Sequence, residues 1–326
     1  MKRFPSLFRF LSTFLVAAAC AAGAVAAPRH TGIPVILDTD IGDDIDDTWA
    51  LGLALKSPEL DLRLVVGENG RSQYRAKLLA KFLQTVSRTD VAVGVGLPLG
   101  AEDAGAEAEW VKDYDLQSYP GRVYQDGVQA LIDEIMSSRQ TVTVVCIGPC
   151  QTLAAALRRE PRIAGRAKFV GMHGSVRLGY GGSKDVAAEW NVKAAPAECR
   201  AVFDAPWKSK TITPLDTCGL VVLDGKRYQQ VLASRDRIAA AIVECYRFWS
   251  RHGGGNDPDH SSTVLYDTVA VYLAMHRDLC RMERLKIRVT DDGFTRIDPA
   301  GDTMDVATSW RSLDGYRDFL VKRLTE

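Results

Sequence analysis

The chain has 326 residues, of which 46% are hydrophobic and 25% are charged, and its 41 Lys and Arg residues balance 41 Asp and Glu residues. This length and composition suffice for a large hydrophobic core, arranged as one large domain or two small ones. A formal net charge of zero, without a run of Lys or Arg, argues against a nucleic-acid partner.

The first 27 residues differ in character from the rest of the chain. The basic segment MKRFPSLFRF precedes the apolar run LSTFLVAAACAAGAVAA, which ends in small residues. This order predicts a secretory signal peptide cleaved near Ala26 or Ala27, so that residues 28–326 form the mature domain. The run is shorter than the roughly 20 residues that a membrane span needs. We therefore expect a periplasmic or secreted protein, with lipid attachment at Cys20 as an open alternative.

Apolar strands then alternate with amphipathic helices. In chain order, the pattern predicts a strand at IPVILDTD, a helix at DTWALGLALKS, a strand at LDLRLVVGENG, a helix at YRAKLLAKFLQTV and a strand at DVAVGVG. It next predicts a helix at DGVQALIDEIMSS, a strand at QTVTVVCIG, a helix at TLAAALRRE, strands at AKFVGMHG and KTITPLDTC, and a hairpin turn at DDGFTRIDPAG. Such alternation indicates the α/β class. We predict a single domain with an open, mostly parallel, doubly wound sheet and helices on both faces.

Six aspartates lie between the first predicted strand and the first helix. They are Asp38, Asp40, Asp43, Asp44, Asp46 and Asp47. Ligands of open α/β sheets bind beyond the carboxyl ends of the strands. Polar groups of the residues that follow other strands should therefore meet the aspartates at one edge of the sheet. The residues at these strand ends are Asn69, Gly148, Pro149, Gln151 and His173.

Carboxylates this close together require a bound cation or raised pKa values. A divalent cation with oxygen ligands is the simplest solution, since Ca²⁺ prefers six to eight oxygens and Mg²⁺ retains more waters. The positive N-terminal end of the following helix would favour the charges of Asp46 and Asp47. The alternative is an acidic loop that is merely solvated, but the apolar segments on both sides argue against it.

Two other acidic motifs fit less well. An EF-hand loop requires Gly at its sixth position and Glu at its twelfth, where counting from Asp38 gives Asp43 and Trp49. An aspartate-based phosphotransferase of the haloacid-dehalogenase type also begins with a strand and Asp-x-Asp, but Gly42 stands where that family has Thr or Val. The phosphotransferase stays open as a weaker hypothesis.

The cysteines predict no disulfide scaffold. Seven cysteines in a chain of this length are too few for one, even in an exported protein. Cys146 and Cys150 are four residues apart, with no His or Cys cluster nearby in the sequence, so a zinc site is not expected. We interpret the cysteines as small buried apolar residues, with one disulfide at most.

The stretch DTDIGDDIDDTWAL resembles the N-terminal motif of the nucleoside hydrolases, the inosine/uridine-preferring N-ribohydrolase family. In that motif a strand is followed by Asp-Thr-Asp, Pro-Gly, Asp-Asp and an apolar helix. Ile41 takes the place of the usual Pro, and the later acidic pair is matched by Asp46 and Asp47 with two extra residues before it. Four further segments resemble the family's motifs in its order: VVGENG, VVCIGPCQTLAAAL, EWN and LYDTVAV.

This resemblance implies a Ca²⁺-dependent enzyme that hydrolyses the N-glycosidic bond of ribonucleosides to free base and ribose. The implied metal ligands are Asp40, Asp47, Asp267 and the main-chain carbonyl of Gln151. The implied ribose ligands are Asp46, Asn69, Glu189 and Asn191. Asp40 would also be the general base for the water, Met172 would line the pocket and Asp38 would orient the neighbouring carboxylates. By resemblance alone, we expect a homodimer or homotetramer.

Three positions depart from the family pattern. Ser183 stands where a sugar-binding Asn is usual, and Thr152 replaces the Asn of the Gly-Pro segment. Tyr266 precedes Asp267 where many members have a His that protonates the leaving base, so Tyr266 becomes the candidate acid. A phenol, with an ordinary pKa of about 10, is a weaker acid than His.

These departures leave two matters open. His173, in GMHGS, either contacts substrate or is a satisfied loop histidine. The fold could also carry a protein that binds a ribosyl ligand without turning it over. The preference for purine or pyrimidine bases cannot be deduced.

Overall fold

The computed structural model describes residues 1–2, 32–98, 105–252 and 257–326. The predicted cleavage site at Ala26 or Ala27 and the alternative lipid site at Cys20 lie outside the described residues. Thr31–Glu326 form one folded unit. Within the described part of the chain, no helix has both the length and the apolar character that crossing a membrane requires.

A sheet of ten strands forms the centre of the described fold. The strands are β1 (Ile33–Thr39), β2 (Leu60–Gly67), β3 (Ala92–Gly94), β4 (Val123–Tyr124), β5 (Val142–Cys146), β6 (Ala167–Met172), β7 (Lys210–Thr213), β8 (Cys280–Val289), β9 (Thr295–Ile297) and β10 (Asp302–Trp310). Their order is β4-β3-β2-β1-β5-β6-β7-β10-β8-β9. The pairs from β4 to β10 are parallel, whereas β8 pairs antiparallel with both β10 and β9. The predicted open, mostly parallel sheet is confirmed.

Helices cover both faces of this sheet. They are α1 (Asp46–Lys56), α2 (Ser72–Thr85), α3 (Ala108–Val111), α4 (Gly127–Ser137), α5 (Gln151–Arg159), α6 (Trp190–Ala194), α7 (Pro196–Asp204), α8 (Gly225–Leu232), α9 (Arg237–Ser250), α10 (Thr268–Met275) and α11 (Leu313–Thr325). Side chains of a strand alternate between the two faces. In β1, Val35 and Leu37 accordingly pack into the core with α1, α9 and α10, and Ile36 packs into the core with α4, α5 and α7.

The topology places a crevice at the end of β1. From β1 the sheet extends through β2 to β4 on one side and through β5 to β7 on the other. The chain connections therefore diverge between β1 and β5, and open α/β sheets bind ligands at such a switch point. The aspartates follow β1 directly and so stand at this crevice.

The structure also contains elements that the pattern did not predict. These are β4, β8, β9, β10, the short helices α3 and α6, and the helices α7–α11. The predicted turn at DDGFTRIDPAG is confirmed in the hairpin between β8 and β9, where the Thr290 N–H donates to the Phe294 carbonyl at 2.9 Å. The predicted strand KTITPLDTC ends early, at Thr213, because Pro214 follows and lacks an N–H to continue the pairing.

Candidate active site

A cavity of about 550 Å³ opens beyond the carboxyl ends of β1, β5 and β6. Its described lining residues are Asp40, Asp43, Asp44, Asp46, Asp47, Arg71, Ile147, Met172, Tyr180, Glu189, Trp190, Asn191, Trp249, Tyr266 and Asp267. Residues distant in sequence thus meet at the switch point of the sheet. Most of the polar residues singled out in the sequence lie here, but some do not.

The N-terminal end of α1 carries two of the carboxylates. Asp46 and Asp47 occupy its first turn and are buried, as is Asp267, which directly precedes α10. The Asp267 N–H donates to Asp46 Oδ2 at 3.2 Å, and the Thr39 hydroxyl donates to the Asp47 carboxylate. Carboxylate oxygens of Asp46, Asp47 and Asp267 all lie within 4.8 Å of one another.

This arrangement is electrostatically unfavourable without a cation. Burial raises the pKa of Asp46, Asp47 and Asp267 well above the ordinary value, and the neighbouring carboxylates raise it further. Burial also raises the pKa of Asp40 to about 6, although Arg75 opposes the effect. An oxygen-only donor set of clustered carboxylates matches the coordination that Ca²⁺ prefers. The residues present therefore fit a hard divalent cation.

Arg75, on α2, fixes the loop that carries these acids. Its side chain is fully buried and directs all five of its N–H groups to acceptors. The acceptors are the main-chain carbonyls of Asp40, Ile41, Asn69 and Gly70 and the Asp43 carboxylate. The rigid fork of a guanidinium suits such a set. Arg75 thereby ties the loop after β1 to the loop after β2, and nothing in the local sequence pattern distinguished it.

Asn69 stands at the rim of the site. Its backbone is left-handed, with φ of 61°, which Asn tolerates better than most residues. Its Nδ2 lies 3.5 Å from Asp40 Oδ2, the limit of a hydrogen bond. Asn69 does not belong to the described cavity lining, so it contacts the site through Asp40.

Glu189 and Asn191 reach the cavity from the start of α6. Glu189 caps this helix, accepting hydrogen bonds from the N–H groups of Asn191 at 2.7 Å and Val192 at 3.3 Å, and it also accepts from Gly174 at 2.8 Å. The Asn191 amide nitrogen donates to the carbonyls of Ile147 and Met172, both at 3.0 Å. Its amide oxygen is thus the part of the side chain left for a ligand.

Four aromatic rings complete the cavity: Tyr180, Trp190, Trp249 and Tyr266. Tyr180 and Tyr266 meet edge to face with ring centroids 6.2 Å apart, and the Trp190 N–H donates to the Tyr180 hydroxyl at 2.9 Å. The Trp249 indole N–H donates to the Asp43 carbonyl at 2.9 Å, which holds that ring beside the acidic loop. Of these four, only Tyr266 was expected at the site.

The predicted main-chain ligand, Gln151, begins α5 and is not part of the described cavity lining. It follows a turn through Gly148 and Pro149. The buried Glu68 carboxylate anchors that turn by accepting from the N–H groups of Cys150 at 3.0 Å and Thr152 at 3.1 Å.

His173 lies in the protein interior. It is completely buried, and its Nε2 is 2.9 Å from the Gly148 carbonyl and 3.0 Å from Cys150 Sγ. Phe169 and Phe203 pack against its ring. Burial lowers the pKa of His173 to about 4, so it is neutral at physiological pH. His173 does not belong to the described lining of the cavity, so nothing here supports it as a substrate contact. Its Nδ1 is buried without a hydrogen-bond partner among the described residues.

Asp38, Ser183 and Thr152 also lie away from the described lining. Asp38 is fully buried on the sheet face opposite Thr39, and its Oδ2 lies 3.9 Å from Cys146 Sγ. Its Oδ1 has no hydrogen-bond partner among the described residues, whereas Thr39 donates to the Asp47 carboxylate. Ser183 is exposed and Thr152 is buried beside Glu68.

Sequence comparisons find similar proteins of one family. The model of a protein family described as inosine-uridine preferring nucleoside hydrolase matches residues 35–313. The chain is 30% identical to the inosine-uridine preferring nucleoside hydrolase of Leishmania major over 260 residues, which cover 72% of this chain and 79% of that protein. It is 31% identical to the pyrimidine-specific ribonucleoside hydrolase RihA of Salmonella agona over 256 residues, covering 76% and 73% of the two chains.

Solved structures show the same fold. The plant nucleoside hydrolase PpNRh1 superposes with a TM-score of 0.74 at 20% identity, covering 90% of this chain and 99% of that one. The purine-preferring ribonucleoside hydrolase from Gardnerella vaginalis gives a TM-score of 0.72 at 21% identity, covering 90% and 98%.

Proposed function

The chain belongs to the inosine-uridine preferring nucleoside hydrolase family of N-glycosyl hydrolases, and we propose that it is an exported, Ca²⁺-dependent enzyme that cleaves ribonucleosides to base and ribose. The observation that carries this proposal is the convergence of Asp40, Asp46, Asp47 and Asp267 in one cavity at the switch point of the sheet. A set of buried carboxylates there suits both a cation and a reaction that develops positive charge.

Asp40, Asp47 and Asp267 would hold the Ca²⁺ ion. By resemblance, the main-chain carbonyl of Gln151 would complete this ligand set. When bound, the ion lowers the pKa of a water and orients it beside the sugar. Arg75 and Thr39 hold Asp40 and Asp47 in position through the hydrogen bonds described above.

The protein side chains would supply the remaining chemistry. Breaking the N-glycosidic bond builds oxocarbenium character on the ribose, which nearby carboxylates stabilise. Asp40 accepts the proton of the attacking water as general base. Asp46, Glu189 and the amide oxygen of Asn191 face the sugar, Asn69 supports Asp40 at the rim, and Met172 forms part of the wall.

The two competing hypotheses make different demands on the structure. A phosphotransferase would need Asp38 as its nucleophile, but Asp38 is fully buried and does not line the described cavity. A ribosyl-binding protein without turnover draws support from Ser183, which is exposed outside the cavity and leaves the sugar one contact short of the family pattern. The presence of Asp40 in the cavity favours the enzyme.

Our proposal for location rests on the sequence alone, and our proposal for assembly rests on the family resemblance. We propose removal of residues 1–27 on export, with lipid attachment at Cys20 as the alternative, and a homodimer or homotetramer in solution. Mass spectrometry of the protein isolated from its native host gives the mature N-terminus, and light scattering gives the assembly state.

Release of base and ribose from a panel of ribonucleosides tests the proposed function. We would measure it for the full mature chain with Ca²⁺, with chelator and as Asp40→Asn. Release that requires Ca²⁺ and is lost in Asp40→Asn is the expected result. Tight binding of nucleosides without any release would support the binding-protein hypothesis instead.

A further inference from the structure

The cavity carries a large excess of negative charge. Seven carboxylates line its described part, against the single guanidinium of Arg71. Arg75 adds a second cation behind the wall, and a bound Ca²⁺ ion would add two further positive charges. The formal charge around a ligand nevertheless stays negative, which favours a ligand that brings a positive charge.

Two of these carboxylates exceed what the metal and the sugar require. Asp43 and Asp44 lie in the loop before α1 and line the cavity, but they stand apart from the cluster of Asp46, Asp47 and Asp267. Asp43 is held by Arg71 and Arg75, whereas the Asp44 carboxylate is exposed and accepts from the adjacent Ile45 N–H at 3.1 Å. Asp44 is thus available to a ligand's charge.

Aromatic rings surround the same part of the cavity. Trp249 is bonded to the Asp43 carbonyl and so places an indole ring next to this loop. Tyr180 and Trp190 are 44% and 57% exposed, which is unusual for large apolar side chains and leaves ring surface free for a ligand. Aromatic faces attract cations, and a cationic heterocycle gains both stacking and electrostatic attraction from them.

The candidate acid in the described lining, the Tyr266 phenol, protonates a departing base less readily than an imidazole would. No His or Lys belongs to the described lining of the cavity. Of the histidines within the described ranges, His173 is enclosed, His252 and His260 are exposed near the end of α9, and His276 contacts Glu59. A neutral purine or pyrimidine leaves poorly unless it is protonated, whereas a base that already carries a positive charge departs as a neutral molecule.

We propose that the preferred substrates of this site are ribonucleosides whose base bears a fixed positive charge, such as N-ribosylpyridinium or N7-alkylpurine ribosides. The proposal rests on the proposed function and narrows its substrate class. It joins three independent features of the cavity: the exposed carboxylate of Asp44, the aromatic rings beside this loop, and the lack of an imidazole or ammonium donor in the described lining.

The reaction balances without a general acid. The bond between the anomeric carbon and the ring nitrogen breaks, and its electron pair stays on the nitrogen, which neutralises the base. Water adds to the anomeric carbon and gives one proton to Asp40. The products are ribose, the neutral base and one proton released to solvent.

Pairs of substrates that share the ribose but differ in the charge of the base test whether the site recognises that charge. Nicotinamide riboside carries a positive pyridinium, and nicotinic acid riboside has the same ring with a carboxylate that cancels the charge. Guanosine and 7-methylguanosine form a second pair. With Ca²⁺ present, we expect kcat/KM to be at least about tenfold higher for the cationic member of each pair.

Variants of this chain test whether the named residues cause that preference, because pyridinium leaving groups are intrinsically good. Within each substrate pair, Asp44→Asn should reduce the ratio of kcat/KM for the cationic substrate to kcat/KM for the substrate of zero net charge by about threefold to tenfold. Asp204→Asn, at the exposed end of α7 outside this cavity, is the matched control and should keep the ratio. Tyr266→His should raise guanosine cleavage relative to 7-methylguanosine. Thermal melts would verify that each variant is folded.

The outcomes distinguish failure of the proposed substrate preference from failure of the proposed function. A cationic preference that falls in Asp44→Asn but not in Asp204→Asn supports the inference. Equal or faster cleavage of the member with zero net charge in each pair, or a preference that Asp44→Asn leaves unchanged, overturns the inference and leaves the hydrolase intact. Absence of release from every nucleoside, with Ca²⁺ bound, overturns both.

Discussion

Two clusters of ionisable side chains lie at the same strand ends and behave in opposite ways. The acidic cluster around Asp46, Asp47 and Asp267 opens onto the cavity, with carboxylates that crowd one another. The thiol cluster of Cys146, Cys150 and His173 also has ligand atoms within 4.8 Å of one another, but it is fully enclosed. Its members find partners in the Gly148 carbonyl and in each other.

The difference comes from the alternation of side chains across the sheet. Thr39 contacts Asp47 on the face covered by α1 and α10, whereas Asp38 and Cys146 belong to the face covered by α4 and α5. The side chains of adjacent residues in one strand therefore lie on opposite sides of the sheet, one towards the cavity and one in the enclosed core. Proximity of ligand atoms does not by itself mark a functional site, because access and unmet charge are also needed.

The largest loss of activity should come from removing a carboxylate of the acidic cluster. We expect Asp267→Asn to lower kcat/KM at least about 100-fold at limiting Ca²⁺, because loss of an orienting partner alone costs about 10- to 100-fold. Cys150→Ala, in the thiol cluster, should change kcat/KM by less than about threefold. Steady-state ribose release measures both, and comparable losses in the two variants would erase the distinction between the clusters.

Arg75 should make the next largest contribution, through stability. Arg75→Met leaves four main-chain carbonyls without this donor and the half-buried Asp43 carboxylate with Arg71 alone, so we expect the free energy of unfolding to fall by about 3 to 5 kcal/mol. Arg71→Met removes a partly exposed partner of the same carboxylate and should cost about 1 kcal/mol or less. Urea denaturation with Ca²⁺ absent compares them, and equal losses would refute the bracing role.

The smallest effect is a pH dependence confined to the thiol cluster. Because the folded-state pKa of His173 is lowered to about 4, the folded protein binds this proton less readily than the unfolded chain. The stability that this residue contributes is complete above about pH 6.5 and is lost as the pH falls through 4.

His173→Gln keeps a hydrogen-bond donor but cannot titrate. Relative to this variant, the wild-type free energy of unfolding should fall by about 2 to 3 kcal/mol between pH 7 and pH 4. The carboxylates titrate in both proteins, so the difference between the two urea-unfolding series isolates His173. A difference that does not vary with pH would show that His173 is not held neutral.

Much of the site could be predicted because its chemistry is local to one junction. Asp40, Asp46 and Asp47 follow a buried strand and begin a helix, so their position at the sheet edge followed from the alternating pattern. The order of family motifs added Asp267 and Glu189, which spacing alone would not connect to them. Most of the longer helices and strands up to β7 were predicted for the same reason, since their periodicity is strong, but α7 was not.

The features of the site that the sequence did not predict depend on tertiary packing. Trp249 reaches the cavity from the end of α9, and Arg75 acts through main-chain carbonyls, which leave no trace in side-chain patterns. The assembly of His173 with Cys146 and Cys150 depends on β6 lying beside β5, which also invalidates the reasoning that no His lies near those cysteines.

Titration of Ca²⁺ onto the metal-free mature chain, followed by calorimetry, tests the central claim most directly. We predict one strongly bound Ca²⁺ ion per chain in the wild type and in His173→Gln, and loss of that binding in Asp47→Asn. Failure of the wild type to bind Ca²⁺, or unchanged binding in Asp47→Asn, would contradict the assignment of the acidic cluster as the metal site.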